Sequence, residues 1–231
     1  MEQRKSLGLT NNQLKIIAMV AMVLDHVGLQ LFPHIMALRY IGRLAFPIFA
    51  FMIAEGCSHT HHKGKYLLSV ALMGAACQIV YAVAMDSLYM NVLITFTLSI
   101  LVIYSIDLLL DRRTLLSAAP LVLCVATVVI CCTVLPQLLS GTDYSIDYGI
   151  FGVALPVMVY YAPTRPTKLA ACALSLVGIV FTRGLWQLWA FPAILLLAAY
   201  NGERGRLRMK YVFYLFYPAH LVIIWLIGLV I

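Results

Sequence analysis

Asp25 and His26 stand side by side in MVLDHVG, residues 22–28, inside an otherwise apolar run. A histidine titrates near neutral pH and can take a proton from an attacking nucleophile, while a carboxylate can hold a cation or orient a base. Other polar side chains interrupt apolar runs in the same way: Arg39, Arg43, Glu55, Asp107, Arg183 and His220. A charge at the centre of a membrane helix costs about 2.5–3.5 kcal/mol on insertion scales, so such residues turn inward, pair with one another and mark a site. Pairing that merely joins helices is the plainer reading of the same set.

Spacing orders these residues. Neighbours on a helix are ~100° apart, so Asp25 and His26 must face different partners, drawn from other helices. Arg39 and Arg43 share a face and approach from the same end as Asp25, which makes them its expected counter-charge. Pro47 cannot donate to the carbonyl of Arg43, and the helix is expected to kink there. Lys15 precedes His26 by 11 residues, which returns it to within ~20° of the same face about 16 Å away. That line suits an anionic carrier with its head at the surface and a long arm reaching a base; a topology anchor explains the lysine more simply. Near the end, Tyr214, Tyr217 and His220 form a polar stripe beside Pro218.

Three other motifs have bland explanations. HTHHKGK, residues 59–65, lacks the carboxylate or cysteine partners of a zinc site, and no metal is expected. The basic residues Lys63, Lys65, Arg204, Arg206, Arg208 and Lys210 could bind nucleotide phosphates, although topology alone accounts for them. DYSIDYG, residues 143–149, reads as helix capping, with acceptor recognition as the sharper alternative.

The elements that must position this chemistry are membrane helices. With 63% hydrophobic and 11% charged residues in 231, the chain has more apolar surface than one soluble core could hide. Apolar runs of the ~20 residues needed to cross ~30 Å of hydrocarbon predict an all-α polytopic bundle, and segments of that length exclude a barrel. Nine spans are expected, at 14–32, 40–57, 66–84, 91–110, 115–135, 146–162, 168–182, 185–200 and 211–231, in one integral-membrane domain over residues 1–231. The polar, basic opening does not read as a removable signal peptide. The six cysteines read as small packing residues. With the N-terminus inside, 13 of the 16 lysines and arginines are cytoplasmic, which predicts a multi-pass protein of the inner or plasma membrane. The net charge of +7 is then a topology signal and not a nucleic-acid footprint.

Several stretches carry a resemblance. LKIIAMVAMVLDHVG (14–28), RYIGRLAFPIFAFMIAEGCSHT (39–60), KYLLSVALMGAACQIVY (65–81), NVLITFTL (91–98), DYGIFGV (147–153) and YLFYPAHL (214–221) resemble the TraX family of conjugation-associated membrane proteins. The resemblance implies acetyl transfer from acetyl-CoA to an amine at the outer face, as in the modification of conjugative pilin. Lys15 and His26 are also similar in spacing to the basic residue and catalytic histidine of the acyltransferase 3 superfamily, as is Tyr217-Pro-Ala-His220 to its late Tyr and His pattern. That superfamily's arginine pair is spaced differently from Arg39 and Arg43.

Together these readings predict a membrane acyltransferase. His26 is expected as general base, Arg43 and Arg39 as stabilisers of the oxyanion, Asp25 as their electrostatic support and His220 as a second catalytic candidate. Lys15, Glu55, Tyr214 and Tyr217 are expected along the path of acetyl-CoA. The acceptor would be an amine or hydroxyl of a pilin-like peptide, another peptide or a glycan. A proton-coupled transporter and a non-catalytic membrane scaffold are the rivals.

Overall fold

The computed structural model describes residues 8–205 and 210–230, without the side chains of 210, 211, 213 and 214, and all regular structure among them is helical. The first helix, α1 (Asn11–Gln30), starts where Thr10 caps it. The Thr10 hydroxyl accepts from the Gln13 amide, and the Gln13 side chain accepts from the Thr10 amide at 2.8 Å. Residues 199–204 run back along this end: Asn11 N–H donates to Glu203 O at 2.8 Å and Asn12 N–H to Arg204 O at 3.2 Å, occupying amides a helix start leaves open.

The second span is two pieces, α2 (Met36–Gly42) and α3 (Ala45–His59), joined through Arg43 and Leu44. Arg43 N–H donates to both Arg39 O and Tyr40 O in a tightened last turn, and Pro47 has no amide to continue the ladder. The kink expected at Pro47 is therefore a break, with Arg43 on it. Next come α4 (Lys63–Ala84) and α5 (Val92–Arg112), the latter capped by buried Asn91, whose side chain also donates to Gly74 O at 3.0 Å. α6 (Leu115–Val129) passes through a π-helical turn, Ile130–Val134, into the short α7 (Leu135–Leu138). α8 (Gly149–Tyr161) and α9 (Arg165–Arg183) follow, then a 3-10 turn, Leu185–Ala190, α10 (Pro192–Ala198) and α11 (Lys210–Gly228).

Among the described residues, six helical stretches are long and apolar enough to cross a membrane: 11–30, 36–59, 63–84, 92–112, 115–138 and 165–183. The remaining three expected spans coincide with shorter apolar stretches, Gly149–Tyr161, Leu185–Ala198 and Leu215–Gly228. The 13 residues of α8 rise only about 20 Å. Residues 146–148, expected in that span, form instead a turn in which Tyr148 has φ 59°, so the helix starts late. Gly184, at φ 103°, sets the stretch after Arg183 off from α9, and Pro192, which lacks an amide, divides it. The protein is thus a helical membrane bundle.

α3 lies at its centre, against α1, α5, α8 and α10. Ile48, Ala50, Phe51 and Ala54 of α3 are buried with Leu14 and Ala18 of α1 and Ile100 and Ile103 of α5. Buried hydroxyls add cross-links: Ser99 Oγ donates to Val153 O at 2.9 Å and Thr95 Oγ1 to Asp147 O at 2.8 Å. Such bonds average only about 0.6 kcal/mol in membranes, so close packing does most of the holding. α6 is peripheral, on α5, with Leu115, Leu116 and Leu123 exposed as a lipid-facing helix requires. All six cysteines are free, and Cys57, Cys77 and Cys172 are buried.

Candidate active site

A cavity of about 780 Å³ is lined by Asp25 and His26 of α1, Arg39 and Arg43 at the α2–α3 break, Tyr148, Asp147, Arg183, Trp186 and Tyr217. It reaches the end of the bundle made by half-buried Ser87 and exposed Asp143. This is the upper cavity.

One carboxylate organises its floor. Asp25 Oδ2 accepts from Arg39 Nη1 at 2.8 Å, and Asp25 Oδ1 accepts from Arg43 Nη2. Both arginines lie over the Trp186 ring, at 4.5 Å for Arg43 and 5.4 Å for Arg39, so two guanidiniums share one counter-charge and one aromatic ring. The pairing works because position 42 is glycine: a Cβ there would sit 2.4 Å from Asp25 Cβ. Arg43 Nη1 also donates to Tyr148 OH at 3.3 Å, while its Nε is buried without a partner, at a cost of about 1–3 kcal/mol. Tyr148 stacks on Phe46 at 3.7 Å between centroids and closes that side.

His26 turns to another helix, as adjacency in α1 demands. Its Nδ1 lies 2.9 Å from His220 Nε2 in α11, with ring centroids 5.0 Å apart. His220 Nδ1 lies 3.0 Å from the Phe216 carbonyl, which can only accept. In the neutral pair, His220 therefore carries its proton on Nδ1 and offers Nε2 as acceptor. His26 must donate from Nδ1, which leaves His26 Nε2 with a free lone pair. This is the tautomer a general base needs.

A second cavity of about 400 Å³ lies at the opposite end of α1, lined by Asn11, Asn12, Lys15, Thr60, His62, Lys65 and Arg204 among others. None of the residues lining it is an aspartate or glutamate. Both cavities share Phe49, Phe96 and Tyr217 as wall residues. Three aromatic side chains thus stand between a basic chamber and the chamber that holds His26.

The structure gathers Asp25, His26, Arg39, Arg43 and Tyr217 around the upper cavity and places His220 behind His26. Lys15 lies in the lower one. Glu55 lines neither: its carboxylate accepts from Lys168 Nζ at 2.6 Å, joining α3 to α9. The side chain of Tyr214 lies outside the described residues. Asp107, at the lower end, binds Lys63, Tyr160 and Tyr161 and serves a helix-end cluster. Among the described residues no three His, Cys, Asp or Glu side chains are grouped to hold a metal ion.

Reasoning from spacing missed four contributors. Tyr148 and Asp147 belong to DYSIDYG, which reads as helix capping with acceptor recognition as the sharper alternative; Tyr89 and Trp186 give no signal, because their roles depend on loops folding over the cavity. Arg183, noted as an intramembrane charge, donates to Ser145 Oγ at 2.8 Å and Ile146 O at 2.7 Å and so pins one of those loops.

The chain matches the family described as TraX protein over residues 10–228. It belongs to the TraX family. The chain is 30% identical to a protein of Dichelobacter nodosus named "Probable fimbrial assembly protein FimC, serogroup H1", over 92% of this chain and 93% of that one. It is also 30% identical to "Uncharacterized protein RP591" of Rickettsia prowazekii (strain Madrid E), over 71% of this chain and 60% of that protein. No solved structure matches. The TraX match takes in α1 to α11, and so every residue of both cavities.

Proposed function

We propose that this TraX protein is a membrane acyltransferase that moves an acetyl group from cytoplasmic acetyl-CoA to an amine or hydroxyl acceptor at the other face of an inner or plasma membrane. The observation that carries this reading is the pair of cavities meeting at Phe49, Phe96 and Tyr217, with Lys15 in one and His26 in the other. The basic, acid-free lower cavity fits the phosphates of coenzyme A, with Lys15, Lys65 and Arg204 facing them. The 11 residues from Lys15 to His26 rise about 16 Å, a distance that an extended pantetheine arm covers. The distribution of lysine and arginine supports a cytoplasmic N-terminus.

Acetyl-CoA supplies an activated thioester carbonyl. His26 Nε2 removes the proton of the acceptor as its nitrogen or oxygen bonds to that carbon, and His220 steadies the imidazolium that forms. Arg43 and Arg39 face the negative charge on the carbonyl oxygen, where positioned donors are worth about 10²–10³ in rate. As the carbon–sulfur bond breaks, His26 returns the proton to the departing thiolate. Asp25 keeps the two arginines in place throughout. The likeness to a protein named for fimbrial assembly favours a pilin-like peptide acceptor over a glycan.

Purified protein in vesicles, supplied with acetyl-CoA and a membrane extract or peptide, should release free thiol, and His26→Ala should abolish the release. Full turnover by that variant would remove His26 from the mechanism. Collapse of a solute gradient without any thiol release would establish a transporter instead, since opposed cavities also suit alternating access.

A further inference from the structure

The charged groups of the upper cavity can be accounted for one by one. Asp25 spends both carboxylate oxygens on Arg39 and Arg43. Asp143 takes the Ser87 hydroxyl at 2.5 Å on one oxygen and the Leu88 amide at 2.9 Å on the other. Arg183 is committed to Ser145 and Ile146. Asp147 differs. Its Oδ1 accepts from Tyr89 OH at 2.5 Å, and among the described residues no hydrogen bond or ion pair reaches its Oδ2. It is nonetheless part of the cavity wall.

The backbone holds this carboxylate firmly. Asp147 N–H donates to Met90 O at 3.1 Å, and Asp147 O accepts from Thr95 Oγ1 at 2.8 Å. The next residue, Tyr148, takes the left-handed conformation at φ 59°, so α8 begins after the carboxylate and not on it. Asp147 therefore does no capping. A carboxylate placed from both sides, oriented by a tyrosine and left with a spare oxygen has the form of a prearranged cation subsite.

We propose that Asp147 is the acceptor-anchoring residue of the upper cavity. Its spare oxygen receives the cationic end of the incoming acceptor, Tyr89 fixes the carboxylate, and Asp25 is excluded from this task by its two arginines. The proposal rests on the transfer reading above and adds to it which side chain selects the acceptor. A charged hydrogen bond of this kind is worth about 1.5–3 kcal/mol, which is roughly 10- to 100-fold in affinity.

Two small probes of equal size separate charge from shape: glycinamide, an ammonium at neutral pH, and glycolamide, its hydroxyl counterpart. In vesicle-reconstituted protein the expected result is preferential binding of glycinamide, by saturation-transfer NMR without acetyl-CoA. Asp147→Asn, which keeps an acceptor for Tyr89, should weaken glycinamide 10- to 100-fold and leave glycolamide unchanged. Tyr89→Phe should give a smaller loss of the same selectivity. With acetyl-CoA present, the KM of ethylenediamine, which can bind through one ammonium while its second, neutral amine attacks the thioester, should rise in Asp147→Asn while kcat holds. Equal binding of glycinamide by wild type and Asp147→Asn, or no binding by wild type, overturns the proposal. Selective binding that Asp147→Asn abolishes, with no thiol released by wild type, sustains the subsite and sinks the transfer reading.

Discussion

His26 Nδ1 and His220 Nε2 lie 2.9 Å apart, bridging α1 and α11. Because His220 is itself fixed by the Phe216 carbonyl, this contact dictates which nitrogen of His26 bears the proton. His220→Ala should lower thiol release about 10- to 100-fold, as loss of a comparable outer-shell partner does, while acetyl-CoA binding is retained. His220→Gln can still accept from His26 Nδ1 and should recover part of the rate. Equal rates for the Ala and Gln variants would show that the histidine contact does not set the tautomer.

Asp25→Ala tests the ion pairs on the cavity floor. It strands two buried guanidiniums, and breaking a buried pair from one side costs about 3–5 kcal/mol. The variant's thermal midpoint in detergent should fall well below that of wild type, and Arg39→Gln in the same chain should restore part of it by removing one stranded charge.

Gly42→Ala probes the same contact sterically. The added Cβ would meet Asp25 Cβ at 2.4 Å, closer than the two can approach. Overpacking costs about 1–3 kcal/mol, so a lower midpoint together with reduced turnover is expected. Gly64→Ala, where nothing lies within 4 Å of the new Cβ, is the control and should behave as wild type.

Lys15→Gln and Lys65→Gln bear on the lower cavity. Each should raise the KM for acetyl-CoA roughly 3- to 10-fold with kcat held, because a contact to the distant phosphates is equal in ground and transition states. A fall in kcat alone would place these lysines elsewhere in the cycle.

Asp143 supplies a pH dependence. The Ser87 hydroxyl, and then the Leu88 amide, hold its carboxyl below the ordinary 3.8. A depressed folded-state value means that the stabilisation is present above the unfolded-state value and is lost as pH falls through the folded one. Protection of the Leu88 amide against hydrogen exchange, relative to its intrinsic rate at each pH, should therefore fall in acid below about pH 4, and Asp143→Asn should remove that dependence.

Much of this site was legible from helical geometry alone. Asp25 and His26 had to face different helices, and Arg39 and Arg43 were the cations within reach. Lys15 and His26 were placed on one face by counting residues. What escaped detection depended on irregular backbone. Asp147 looked like a capping residue because nothing in DYSIDYG announces that Tyr148 turns left-handed. Glu55 looked like a channel residue until α9 brought Lys168 to it. The 185–200 segment had the apolarity of a span, but Gly184 sets it off from α9 and Pro192 divides it.

Phe49, Phe96 and Tyr217 form the shared wall of the two cavities. In a living membrane, a chain hollowed from both sides is also a potential short circuit. In the inner or plasma membrane proposed for it, those three aromatic rings would also stand in the path of a proton leak. Substitutions there face a constraint from cellular energetics that no measurement of turnover in detergent would reveal.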